Sequence, residues 1–137
     1  MICLDTNVVI AVLNDPKSPV RKKLDDAIGR GDAIAISTIV LFELRYGAAK
    51  SVRPERNAKR ITDFLAGPIE VWPFEPQDAE AAGDIRAALE QQGTPIGPYD
   101  VLIAAQARRL DALLVTANTC EFARVPGLKL EDWGQPT

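Results

Sequence analysis

The sequence predicts an α/β fold in which a mainly parallel sheet is covered by helices on both faces. Three observations predict it. Short apolar runs (Ile2-Cys3-Leu4, Ala33-Ile34-Ala35-Ile36, Ile69-Glu70-Val71, Leu113-Leu114-Val115) read as buried strands. Longer segments with apolar residues at helical spacing lie between them. Gly, Pro, Asn and Asp punctuate the changes from one kind of segment to the other. Strands that alternate with helices pair in parallel, because a parallel connection must be long enough to carry a helix back over the sheet.

Each element has a local reason. Ile2-Cys3-Leu4 is a strand that stops at Asp5. Asn7 to Leu13 is an apolar helix ended by Asn14-Asp15-Pro16. Ser18 caps a second helix and Pro19 takes its first position, where a missing N–H removes no helical bond. That helix buries Val20, Leu24 and Ile28 and closes at Gly29 to Gly31. After the strand at 33–36, Ser37 or Thr38 caps a third helix, Ile39 to Lys50. Pro54 opens a fourth, with Ala58, Ile61, Phe64 and Leu65 at helical spacing and Gly67-Pro68 behind it. Ile69 to Val71 is the third strand, Gln77 to Gln92 an amphipathic helix, and Gly93 to Pro98 a Gly/Pro loop. Tyr99 to Leu110 is the last long helix and Leu113 to Val115 the fourth strand. Thr116 to Phe122 reads as a Thr/Asn-rich loop, and Leu128 to Leu130 is a candidate fifth strand.

A chain of 137 residues fits one domain, 1–137, with a core of its own. No apolar run approaches the roughly 18 residues of a membrane span, so no membrane partner is expected. The N-terminal stretch lacks a basic start and carries Asp5 inside its apolar run, which argues against a signal peptide. The two cysteines, Cys3 and Cys120, follow no metal-type spacing; free thiols suit a reducing cytoplasm, the expected location. The sequence contains no histidine. That excludes Ser-His-Asp and Cys-His nucleophiles and His-ligated zinc. Hydrolytic chemistry here must use carboxylates, lysines or a hard, oxygen-bound metal. A net charge of −3 argues against coating nucleic acid nonspecifically, yet Lys50, Arg53, Arg56, Lys59 and Arg60 form a local basic stripe.

In parallel sheets ligands bind beyond the carboxyl ends of the strands, so the acids that follow strands are the candidates. Asp5 ends the first strand, within Asp5-Thr6-Asn7, and reads equally well as a helix cap. Glu43 stands among Ile39-Val40-Leu41-Phe42 and Leu44. A carboxylate in a mostly buried turn needs a partner or a metal; the alternatives are solvent, Arg45 or Arg56. Asp100 starts a helix, where the macrodipole favours an acid in any case. Asn118 and Glu121 follow the fourth strand. Carboxylates that converge repel unless a cation lies between them, and Mg²⁺ or Mn²⁺ takes oxygen ligands. Such a metal polarises a phosphate and activates water for attack on a phosphodiester.

Four motifs in order carry a family resemblance: Leu4-Asp5-Thr6-Asn7, Phe42-Glu43-Leu44-Arg45-Tyr46-Gly47, Ile96-Gly97-Pro98-Tyr99-Asp100, and Val115-Thr116 through Asn118-Thr119-Cys120-Glu121-Phe122. With the tail Val125-Pro126-Gly127-Leu128 and Glu131-Asp132-Trp133, they span essentially the whole chain, which resembles the PIN-domain toxins (VapC) of bacterial VapBC toxin–antitoxin pairs. The resemblance implies a PIN-like five-stranded parallel sheet, a homodimer, a Mg²⁺ or Mn²⁺ site, and endoribonuclease activity blocked by a VapB-type antitoxin. Operator DNA would be reached only through that antitoxin. It implies catalytic roles for Asp5, Glu43, Asp100 and Glu121. Asp5 and Asp100 would be the main metal ligands and Glu43, Glu121 and Asn118 weaker ones. Thr6, Asn7, Thr116 and Asn118 would line the site. The Gly-Pro-Tyr-Asp subgroup resembles toxins that cut initiator tRNA. Two other readings compete. A phosphoaspartyl domain would want an acidic pair at the first strand and a Lys after the last, whereas Asp5 stands alone and Lys129 falls inside the last strand. A catalytically inactive PIN-like module, binding RNA or protein, would be expected to lack one of the acids.

Overall fold

The computed structural model describes residues 1–134. The elements are β1 (Ile2–Leu4), α1 (Thr6–Asn14), α2 (Pro19–Gly29), β2 (Ile34–Ser37), α3 (Thr38–Ala49), α4 (Pro54–Leu65), β3 (Ile69–Trp72), α5 (Pro76–Gln91), α6 (Pro98–Arg109), β4 (Leu113–Val115), α7 (Thr119–Phe122) and β5 (Lys129–Glu131). All strand pairs are parallel and the sheet order is β3-β2-β1-β4-β5. The chain therefore builds outward from β1 through β2 to β3. It then returns past β1 to lay down β4 and β5. Right-handed crossovers put the helices of the outward and return journeys on opposite faces. Helices α1 to α4 pack on one another, and α5 packs along α6.

Strands β1 and β2 are buried along their whole length, as parallel strands covered on both faces must be. Cys3, Leu4, Ala35 and Ile36 have no exposed surface. The edge strand β3 leaves Glu70 and Val71 exposed. Small side chains let α6 lie close to the sheet: Ala104, Ala105 and Ala107 are fully buried beside Val101 and Ile103. Caps fall where the sequence places them. The Ser18 hydroxyl accepts the Arg21 N–H at 3.1 Å, and the Ser37 hydroxyl accepts the Ile39 N–H at 3.0 Å.

The one element that the sequence does not predict is α7. Thr116 to Phe122 reads as a loop, but Thr119–Phe122 forms a single helical turn. It is too short for a periodic pattern, and the burial of Phe122 holds it in place. The basic stripe is also less free than expected. Lys59 pairs with Asp63 at 3.0 Å, and Arg60 donates to the Leu13 carbonyl.

Candidate active site

The strand order reverses between β1 and β4, and this opens a crevice at their carboxyl ends. The register pairs Leu4 with Val115. The next residues, Asp5 and Thr116, therefore emerge side by side. Asp5 is almost fully buried, and it accepts three kinds of donor. Its Oδ1 takes the Thr6 N–H at 2.8 Å as a helix cap. Its Oδ2 takes the Thr116 hydroxyl at 2.7 Å and the Asn7 amide at 3.2 Å. Asp5 is thus both a cap and a site acid. Burial pushes its carboxyl above the usual range, partly opposed by the Thr116 hydrogen bond.

Thr6 and Asn7 extend the arrangement. The Thr6 hydroxyl donates to Glu43 Oε1 at 2.7 Å, and Asn7 Oδ1 accepts the Ala117 N–H at 3.2 Å. Glu43 is half-buried on α3, not enclosed in a mostly buried turn. Its neighbour Phe42 is 49% exposed, because a helix turns consecutive residues through 100° and so points two apolar neighbours in different directions. Arg45 bonds the Ala58 carbonyl and Thr62 instead of Glu43.

The other two acids come from α6 and α7. Glu121 Oε1 accepts the Gly97 N–H at 2.8 Å, and Oε2 accepts the Asn118 amide at 2.5 Å. These bonds hold its carboxyl below the usual range. Asp100 moves the other way, to about 7. Burial is the first cause, followed by the charges of Asp5 and Glu121, a hydrogen bond with Glu121, and the charge of Glu43. All four acids therefore act on one small volume. Among the described residues, Asp5, Glu43 and Asp100 form no ion pair with a Lys or Arg.

Residues 2–128 match the sequence family of the PIN domain. The chain is 41% identical to the tRNA(fMet)-specific endonuclease VapC of Salmonella typhimurium over 95% of this chain and 96% of that one. It is 39% identical to Ribonuclease VapC2 of Rickettsia felis over the same shares. Among solved structures, VapBC2 from Rickettsia felis, bound to a promoter DNA fragment, superposes with a TM-score of 0.90 at 39% identity over 97% of this chain and 99% of that one. DNA-bound VapBC from Salmonella typhimurium superposes with a TM-score of 0.88 at 40% identity over 96% and 97%. The chain belongs to the VapC family of PIN-domain proteins.

In this VapC-family chain every acid singled out from the sequence reaches the crevice, together with Thr6, Asn7, Thr116 and Asn118. Asp111 lies elsewhere, in a turn with φ +54°, where it pairs with Lys129 at 2.9 Å. Lys129 pairs in register with Leu113, at the end of the sheet opposite Asp5, which removes the basis for a phosphoaspartyl site. Sequence reasoning missed Gly97 as a site residue. A Cβ there would lie 3.0 Å from Asp100 Oδ2, and its backbone N–H is what holds Glu121. The signal was the glycine before Pro98-Tyr99-Asp100.

The donor set fits a hard cation. Every candidate ligand is an oxygen, and the mutual repulsion recorded in Asp100 is what a dication would relieve. Among the described residues no three acids form a ready-made metal cage.

Proposed function

We propose that this protein is the toxin of a VapBC-type pair: an endoribonuclease dependent on Mg²⁺ or Mn²⁺ and held inactive by a VapB-type antitoxin. One observation carries the catalytic reading. Asp5, Glu43, Asp100 and Glu121, from four separate segments, converge where the strand order reverses, with no Lys or Arg paired to the first three among the described residues. The complete set also argues against an inactive module. Asp5 and Asp100 would hold the metal most directly, while Thr116, Asn7 and the Thr6 amide keep Asp5 in one orientation. The Thr6 hydroxyl turns Glu43 toward the same space. A bound divalent ion would polarise the scissile phosphate and activate water.

The names of the relatives support the finer claims. The Salmonella typhimurium relative is called tRNA(fMet)-specific, which supports initiator tRNA as substrate. The VapBC complexes support an antitoxin partner through which operator DNA is reached. A mainly apolar cavity of about 230 Å³, lined by Ile10, Leu13, Leu44, Ala48 and Ile61 with Glu43, Asn14, Asn57 and Arg60 at its sides, suits an amphipathic helix of that antitoxin. An Arg or Lys from the antitoxin would then reach the acids. The test is Asp5→Asn. The folded variant should lose RNA cleavage in Mg²⁺ and growth inhibition, with a melting temperature close to that of the unaltered protein. Cleavage at the unaltered rate would overturn the mechanism.

A further inference from the structure

Two helices of this protein open on the same pattern, a cap residue followed by Pro, any residue, and Asp. In α5 the residues are Glu75-Pro76-Gln77-Asp78; in α6 they are Gly97-Pro98-Tyr99-Asp100. An acid at the third helical position ordinarily reaches back to the cap residue's own N–H. Asp78 does so, with its Oδ2 accepting the Glu75 N–H at 2.8 Å. Asp100 does not. The Gly97 N–H is taken instead by Glu121, at 2.8 Å, from α7. Asp100 is close enough to compete, since its Oδ2 would lie only 3.0 Å from a Cβ on Gly97. Glu121 is fixed in this position by the Asn118 amide at 2.5 Å. Asn118 is fixed in turn by its own N–H, which donates to the Thr116 hydroxyl at 3.0 Å.

We propose that Glu121 is a positioning residue: it caps α6 in place of Asp100 and so keeps the Asp100 carboxylate off the Gly97 N–H and turned to the site. The role rests on the ribonuclease reading in that Asp100 must have work to do there. Its physical basis is competition for one donor. Without Glu121, Asp100 turns back onto the Gly97 N–H as Asp78 does on Glu75, and the helix satisfies its cap at the expense of the site. Asn118 serves the same end by fixing the Glu121 carboxylate.

The experiment has two readouts. The first is amide exchange at Gly97, followed by NMR on the full chain in EDTA. Protection should survive in Glu121→Ala, because Asp100 takes over, and in Asp100→Ala, because Glu121 remains. It should fall by about tenfold only in the double variant, the loss of one hydrogen bond. If Glu121→Ala alone loses as much protection as the double variant, Asp100 does not compete and the proposal is wrong. The second readout is cleavage. Gln keeps an acceptor for the Gly97 N–H, so Glu121→Gln should recover kcat by at least about tenfold over Glu121→Ala with little change in KM. Equal losses in the two variants would mean that the charge of Glu121 matters and its cap does not. The exchange measurement needs no RNA, so it stands or falls separately from the ribonuclease reading.

Discussion

Asp100 is subject to two opposing demands. The first turn of α6 favours a negative charge through the helix dipole, by about 0.3–1 kcal/mol. Partial burial and the charges of Asp5, Glu121 and Glu43 oppose it, and they win, since its carboxyl titrates at about 7 against an ordinary 3.8. A carboxyl raised in the folded state keeps a proton there that the unfolded chain releases. The stability this contributes is complete below about pH 4 and is lost as pH rises through about 7. Asp5 is shifted in the same direction. In EDTA the melting temperature should therefore fall between pH 4 and pH 7, and the fall should be shallower in Asp100→Asn. At pH 7 and low salt the variant should be the more stable apo protein, by on the order of 1 kcal/mol once solvent screening at this half-exposed group is discounted. Mg²⁺ should then stabilise the unaltered chain more than the variant. A variant less stable in EDTA, with an equal Mg²⁺ shift, would make Asp100 a structural helix-start residue.

At the scale of elements, the pairing of α5 with α6 carries the site. Asp78, with no exposed surface, closes the cap of α5 and bonds Arg109 at the far end of α6. The two helices are thereby tied at a point distant from Asp100, and the first turn of α6 is left to α7. Asp78→Ala should lower stability by about 2 kcal/mol, the upper end for a lost helix cap, because the Glu75 N–H and the Arg109 guanidinium both lose the carboxylate that accepts from them. Asp78→Asn keeps an acceptor and should lose less. Thermal denaturation of both variants checks the order; equal losses would show that charge on Asp78, not its capping oxygen, holds the helices together.

At the scale of the molecule, the rim of the site is aromatic. Phe42, Tyr46 and Tyr99 are each about half exposed, with Phe42 5.5 Å from Tyr99 and 6.4 Å from Tyr46 between ring centres. Lys50 lies 4.6 Å from the Tyr46 ring. Clustered exposed rings are a costly surface to leave in water, and the homodimer implied by the family resemblance would cover them with a second copy. Sedimentation should find a dimer, and replacing Phe42 and Tyr99 together by Ser should halve its mass. An unchanged mass would place the dimer interface elsewhere.

The sequence by itself determined every described element but α7, and the candidate acids, because the signals for both are local. Ser18-Pro19 and Ser37 mark helix starts within one turn. Apolar runs mark β1, β2 and β4, whose ends the structure moves by no more than a residue from the sequence reading. Position after a strand was enough to single out Asp5, and a helix start enough to single out Asp100. Only the tertiary structure decided which groups meet. Asp5 and Thr116 stand 111 positions apart and touch because the β1–β4 register brings their strand ends together. Glu43 reads as enclosed by apolar neighbours, yet α3 turns Phe42 outward and brings Glu43 to Thr6. Glu121 reads as a loop acid, yet packing of α7 delivers it to the Gly97 N–H, where Asp100 would otherwise bind. A cap or a turn is settled by the few residues that form it. A shared donor is settled by which distant segments the core presses together, and no stretch of sequence contains both of its claimants.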